Sequence, residues 1–339
     1  MDTTEKRKEE HIKLAMSENA LYASGNGFDF IEPLHNSLPE LDFYKIDTRI
    51  RCFNKLFSIP LVITGMTGGF SKAKEINIKL ALAAEKYGIL FGLGSQRAML
   101  ENKKLKDTYA VKKYAKGVFL IGNIGGYQLK TYNIKRIEEM ANDIELDALA
   151  VHLNPLQELI QKEGDKNWEH VEQKIAELAE ALRIPIIIKE TGAGINDNII
   201  KRLKKYNIHW FDISGKGGTS WSKIEYMRSS FVKGFEEWGN QTALCLALCA
   251  GKANIIASGG IRNGIDGAKA LMLGANLFGA ARPFLIEAMN GNLDGLINEW
   301  HVQLKSFMFL TGSKNISALK KARYIVKSCW LSRYLKDRL

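Results

Sequence analysis

The stretch Asn254–Pro283, NIIASGGIRNGIDGAKALMLGANLFGAARP, decides the fold. An apolar run, Asn254–Ser258, ends in a glycine pair. An amphipathic segment, Asp266–Leu273, follows, and a second apolar run, Ala275–Gly279, leads into GAARP. A parallel strand needs such a crossover helix to return to its sheet, so this reads as strand, helix, strand. The same rhythm recurs upstream in Leu61–Gly65, Ile89–Gly94, Val118–Gly122, Asp147–Val151, Pro185–Lys189 and Ile208–Ile213, with amphipathic segments such as Ile76–Tyr87 and Trp168–Arg183 between them. The eight starts lie 28, 29, 29, 38, 23, 46 and 21 residues apart. Eight β-then-α units with consecutively apolar strands predict a (β/α)8 TIM barrel. A doubly wound sheet would want an early dinucleotide loop, and the chain offers none. The predicted organisation is one domain over 1–339, with an N-terminal extension (1–60), enlarged loops after strands four and six, and a basic C-terminal segment (313–339).

The 339 residues are 46% hydrophobic and 25% charged with net charge +11, which excludes wholesale disorder. The longest apolar run, Thr242–Ala250, is far short of the ~18–20 residues that cross a bilayer. The start, MDTTEKRKEEHIK, has no apolar core of a secretory signal, so a cytoplasmic protein without membrane insertion is expected. Cys245 and Cys249, four apart in an apolar helix, read as buried structural thiols. The segment Ser313–Leu339 carries eight Lys/Arg and one acid. It reads as a solvated helical face with Tyr324, Ile325, Trp330 and Tyr334 turned inward.

In such barrels the active site lies at the C-terminal strand ends, so each end should carry chemistry. In order they are Met66-Thr67-Gly68-Gly69, Ser95-Gln96-Arg97, Asn123, His152-Leu153-Asn154-Pro155-Leu156-Gln157-Glu158, Lys189-Glu190-Thr191-Gly192, the run from Ser214 to Trp221, Ser258-Gly259-Gly260-Ile261-Arg262, and Ala280-Ala281-Arg282-Pro283. SGGIRNG and GAARP, after strands seven and eight, suit a phosphate held by bare backbone N–H groups and helix N-termini. Lys189, across the barrel, suits the negative edge of a reduced flavin, which points to FMN; a purely structural buried lysine would need an ion partner, for which Glu190 is the candidate. Thr67, Ser95 and Asn123 would bond the remaining ring edge. The GKGG run satisfies neither the dinucleotide nor the Walker A pattern. In HLNPLQE one carboxylate among amides suits Mg2+ completed by substrate phosphates, with Glu158 as the ligand. Arg97 is a candidate for bidentate phosphate contact. Arg7, Lys8 and His11 share one helical face that, alone, reads as solvated.

RKEEHI (7–12), GMTGG (65–69), GSQR (94–97), HLNPLQE (152–158), IKETGAGI (188–195), DISGKGGTSW (212–221), ASGGIRNG (257–264) and GAARP (279–283) together resemble the flavin-dependent, type 2 isopentenyl-diphosphate isomerases, over essentially the whole chain. The resemblance implies interconversion of isopentenyl and dimethylallyl diphosphates with FMN, Mg2+ and NADPH as reductant, reduced FMN serving as acid and base. It also implies a homotetramer or homo-octamer and no nucleic-acid partner. Carried over by motif, Lys189, Gln157, His152 and His11 would be catalytic. Arg7, Lys8, Ser95, Gln96, Arg97, Asn154 and Gln157 would bind substrate. Met66, Thr67, Gly68, Ser95, Asn123, Lys189, Ser214, Thr219, Gly260, Ile261, Arg262, Ala280 and Ala281 would bind FMN, and Glu158 the metal. The alternative is an FMN-dependent oxidoreductase on the same barrel. Hydroxy-acid oxidation needs a histidine base near the ring, and none of the six histidines follows strand six or seven. RNA-reducing barrels use a cysteine acid, and no cysteine ends a strand.

Overall fold

The computed structural model describes residues 3–228 and 231–338, with side chains from Lys8 onward. Eight parallel strands close into a barrel: β1 (Leu61–Ile63), β2 (Leu90–Gly92), β3 (Phe119–Gly125), β4 (Ala148–Leu153), β5 (Ile186–Glu190), β6 (Trp210–Asp212), β7 (Asn254–Ala257) and β8 (Leu277–Ala280). Each contains part of one run expected from the sequence, and β8 closes on β1 with Phe278 paired to Leu61. Helices fill the crossovers: α1 (Thr3–Ala15), α2 (Ala73–Tyr87), α3 (Arg97–Glu101), α4 (Ile134–Asp143), α5 (Pro155–Ile160), α6 (Val171–Ala181), α7 (Asp197–Lys204), α8 (Trp221–Arg228), α9 (Thr242–Cys249), α10 (Gly264–Met272), α11 (Arg282–Asn290), α12 (Leu293–Leu310) and α13 (Ile316–Leu319). Asn133, Asn196 and Asn263 cap α4, α7 and α10, each accepting a backbone N–H that the helix cannot satisfy itself. Gly267 lets α10 approach β8, since a Cβ there would lie 2.5 Å from the Phe278 ring.

One apolar layer fills the barrel itself, from Val62, Leu90, Ile121, Ala150, Ile187, Ile256 and Leu277; a larger one lies between strands and helices. The N-terminal mouth is closed by a hairpin, Ile50–Cys52 against Lys55–Phe57, whose turn residues Phe53 and Asn54 are both left-handed. Phe53 stacks on Trp210 with ring centroids 4.1 Å apart, and Lys55 reaches Asp147 at 3.1 Å.

The C-terminal segment departs from the expected helical face. Tyr324–Val326 pairs antiparallel with Ile31–Pro33, tying the tail to the N-terminal extension. Tyr324 is buried, but Trp330 and Tyr334 lie at the surface, because both flank a short helical turn after the strand, Leu331–Arg333, that faces the core through Leu331 alone. Cys245 and Cys249 are fully buried in α9, and burial pushes the Cys249 thiol up to about 12. Among the described residues no His/Cys/Asp/Glu group could by itself hold a metal, and no helix is long and apolar enough to cross a membrane.

Candidate active site

The C-terminal strand ends surround a cavity of about 740 Å3. Every strand, or the loop that directly follows it, contributes to its wall or floor, and Lys8, His11, Ile12 and Ala15 of α1 line it as well. Each expected site residue lines it except two. Arg7 lies in α1, but its side chain falls outside the described residues. Gln96, expected to touch substrate, is fully buried; it donates to Gly94 O at 2.7 Å and accepts the Asn123 N–H, bracing β2 against β3. Its amide is consumed by backbone, which corrects that expectation.

The β7–β8 side is a backbone cradle. Gly259 and Gly260 adopt left-handed φ of 97° and 73°, and a Cβ on Gly260 would lie 2.3 Å from the Gly217 carbonyl carbon. Two glycine loops therefore meet edge to edge where no side chain fits. The N–H groups of Gly260 and Ile261 make no hydrogen bond among the described residues. Two side chains brace the loop from behind: Asn26 donates to Gly260 O at 2.6 Å and to Asp266 at 3.0 Å, and Thr242 Oγ1 donates to Gly259 O. The Arg262 guanidinium is bound to Asp266 (2.7 Å) and Asp29 (2.9 Å), so this residue offers the cavity only its backbone and stem. Pro283 opens α11 as expected.

On the cavity floor, register aligns His152 of β4 with Lys189 of β5, and Lys189 in turn with Asp212 of β6, which is buried beside the lysine and does not itself line the cavity. Lys189 Nζ donates to Glu190 O at 2.6 Å and lies 3.6 Å from Asp212 Oδ2. Glu190, the candidate for a structural pair, turns its carboxylate the other way. It accepts N–H groups from Thr191, Gly192, Ala193 and Gly194, while burial pushes its pKa up against those donors. Cross-strand pairing places Asp212 beside the lysine, whereas the next residue along a strand points to the opposite face. Burial first, and the Lys189 charge second, hold His152 neutral with a pKa of about 3. Its Nδ1–H therefore donates to Asn123 Oδ1 at 2.6 Å. Thr67 Oγ1 is buried in the wall without a hydrogen-bond partner among the described residues. A buried hydroxyl left unpaired costs roughly 1–3 kcal/mol, so this one is shaped for a ligand.

The opposite wall is charged. Glu225, fully buried in α8, lies 3.0 Å from His11 Nε2, accepts from Gln157 Nε2 at 2.9 Å and from Arg228 at 2.6 Å. These partners outweigh burial and hold its carboxyl below the usual range. Asn154 donates to Gln157 Oε1 (3.2 Å) and Glu158 Oε1 (3.0 Å), and Glu158 Oε2 accepts the Asp165 N–H at 2.9 Å. Lys8 Nζ donates to Gly68 O, Ser95 O and the Tyr109 hydroxyl at 2.7, 3.0 and 2.8 Å, stapling α1 to the β1 and β2 ends. Arg282 clamps the C-terminal end of α1 through Ala15 O and Met16 O. Arg97 is paired with Glu101 at 2.7 Å and lines the rim.

The sequence reading missed Glu225, Asp212 and Asn26. Asp212 carried a signal, an acid ending the apolar run IHWFDI; Glu225 showed only as the residue one helical turn beyond Trp221.

Residues 135–326, more than half of the chain, match the family model described as FMN-dependent dehydrogenase. Relatives named isopentenyl-diphosphate delta-isomerase are similar over nearly the whole length. Those of Pyrococcus horikoshii and Rickettsia bellii are each 40% identical over 94% of this chain, and over 91% and 96% of their own. That of Halobacterium salinarum is 40% identical over 95% of this chain and 94% of its own. Among solved structures, a Pediococcus acidilactici putative lactate oxidase superposes with a TM-score of 0.66 at 13% identity, covering 95% of this chain and 94% of that one. A mandelate oxidase mutant with an FMN adduct gives 0.61 at 15% identity, covering 93% and 91%. At that identity the two oxidases share the fold.

Proposed function

The chain belongs to the isopentenyl-diphosphate delta-isomerase family, and from that premise we propose how its cavity works. The protein is an enzyme that interconverts isopentenyl and dimethylallyl diphosphates, and FMN is its cofactor. One observation carries the assignment of parts: a single cavity is lined by the Lys189 side chain, by a bare glycine-backbone cradle, and by the His11 and Gln157 side chains gathered on Glu225.

The unpaired Thr67 hydroxyl and the side-chain-free cradle fit FMN. Gly260, Ile261, the Arg262 backbone, Ala280 and Ala281 would take its phosphate by backbone and helix N-termini. Met66, Thr67, Gly68, Ser95, Asn123, Lys189, Ser214 and Thr219 would hold the rest. Once reduced by NADPH, the cofactor supplies acid–base chemistry for an allylic proton shift with no net oxidation.

The chain's own residues do the remainder. Lys189 places positive charge at the cavity floor. His152, neutral, orients Asn123. Glu225 holds negative charge between His11 and Arg228 and accepts from Gln157, so the imidazole and the amide are gathered around one buried carboxylate. Glu158 keeps a free lone pair on each oxygen and would bind Mg2+, which takes its other ligands from substrate diphosphate and water. Arg7, Lys8, Arg97, Ser95 and Asn154 would meet the diphosphate, and α1 excludes water from the reacting carbons. Gln96 supports this wall without touching substrate. A one-domain chain in a cytoplasmic homotetramer or homo-octamer completes the reading; light scattering of the purified protein tests the assembly.

The test is anaerobic incubation with isopentenyl diphosphate, FMN, NADPH and Mg2+. Dimethylallyl diphosphate should form with all components and stop on omitting NADPH or adding chelator. Bound FMN without product sinks the reading.

A further inference from the structure

Asp212 is a buried carboxylate, 3% exposed, at the end of β6 and in register with Lys189 on β5. Its Oδ1 is committed: Ser258 Oγ donates to it at 2.5 Å and the Ser214 N–H at 3.2 Å. Those donors come from β7 and from the turn after β6, so the carboxylate is held on two sides. Its Oδ2 is left to the lysine, at 3.6 Å. Ser214 itself adopts a left-handed φ of 36°, strained for a residue with a Cβ, and that turn aims its N–H at the carboxylate. Glu190, the other buried acid nearby, is occupied by four backbone N–H groups. Among the described residues Asp212 is therefore the lysine's one ion-pair partner.

We infer that Asp212 is the positioning residue of this site. It pins the Lys189 ammonium at one point on the cavity floor and subtracts from the positive field that the lysine presents to the flavin. The Glu190 carbonyl, at 2.6 Å, gives the ammonium one tether about which a flexible four-carbon stem still turns; the Asp212 charge supplies the second direction that fixes it. A buried charge acts at short range with little screening, so a fixed negative charge beside the flavin disfavours electron uptake. Asp212 thus sets how strongly the reduced cofactor is stabilised, and Ser258 sets where Asp212 stands.

The inference rests on the FMN reading above. Asp212→Asn keeps shape and removes charge. It should raise the midpoint potential of bound FMN, moving the reduced-to-oxidised ratio at fixed potential about tenfold, or roughly 30 mV for a two-electron couple. It should also lower kcat about tenfold with KM within about twofold. In a Lys189→Ala background the same change should cost less than about twofold in kcat, because a residue acting through the lysine then has nothing to hold. A potential that stays or falls, or an equal kcat loss in both backgrounds, overturns the inference. If Asp212→Asn cannot bind FMN, Ser258→Ala carries the test: it frees the carboxylate but keeps its charge, so kcat should fall about threefold while the potential moves by less than a tenfold change in the reduced-to-oxidised ratio, and an unchanged kcat overturns the assignment. Wild-type protein that binds FMN but forms no dimethylallyl diphosphate would sink the isomerase reading and leave the potential shift standing as a separate result.

Discussion

The two mouths of the barrel solve opposite problems with the same eight strands. At the N-terminal mouth a hairpin seals the interior with aromatic rings, Phe53 on Trp210 and Phe57 edge-on to Phe119 at 5.5 Å. Its polar contacts are few and peripheral, such as Lys55 to Asp147. At the C-terminal mouth buried charges and amides are held in pairs around a cavity, and one hydroxyl, on Thr67, is left unpaired among the described residues. Apolar contact is non-directional, so the lower mouth contributes stability through area. Paired buried charges contribute little net stability but hold geometry, which is what the upper mouth needs.

That division predicts separable effects. The largest belongs to the upper mouth: Lys189→Ala should lower kcat by roughly 10²–10³-fold, the scale of losing one preorganised charge at a reacting centre. Adding Asp212→Asn, so that no buried charge is left alone, should keep the melting temperature near that of the wild type. Unchanged turnover would break the comparison at its strongest point. Next, Phe53→Ala should cost roughly 3 kcal/mol in urea unfolding by emptying the aromatic plug, while kcat of the folded fraction stays within about twofold. A large loss of kcat would show the mouths to be coupled.

A third effect reads through pH. His152 is neutral when folded, with a pKa of about 3, and an unfolded histidine titrates near 6.5. Between those values the unfolded chain binds more protons at this site, so the histidine's contribution is fully present above pH 6.5 and is lost as pH falls. The slope is at most about 1.4 kcal/mol per unit, or roughly 2 kcal/mol by pH 5. His152→Gln should flatten denaturation midpoints between pH 6.5 and 5; an equally steep variant would place the pH sensitivity elsewhere. The smallest effect separates ligand from scaffold. Thr67→Val should leave apo stability within about 0.5 kcal/mol yet weaken FMN binding about tenfold, roughly 1.4 kcal/mol, by titration calorimetry. A destabilised apo form would make the hydroxyl structural.

Much of the upper mouth was legible because a (β/α)8 barrel brings every strand end to one face. Once the eight runs were found, Thr67, Asn123, His152, Lys189 and Gly260 had to converge, whatever the loop details. The lower plug was not legible: in RCFNKLF only Asn54 favours left-handed backbone, and packing of Phe53 on Trp210 overrides the opposite preference of that phenylalanine. Glu225 lay equally out of reach, since four positions after Trp221 in a helix says nothing of which distant histidine and glutamine it will meet.

By itself, the sequence determined the barrel, the order of its strands and the residue types at each end, because hydrophobic period and chain connectivity are local properties that admit few topologies. The tertiary structure alone decided the partnerships. Lys189 joined Asp212 rather than its neighbour Glu190, Gln96 turned to backbone, Arg262 to two aspartates, and the basic tail paired as a strand with residues 31–33. Adjacent residues on a strand face opposite ways, while register partners some twenty residues apart stand side by side. A buried charge therefore takes the partner that strand register brings to its face.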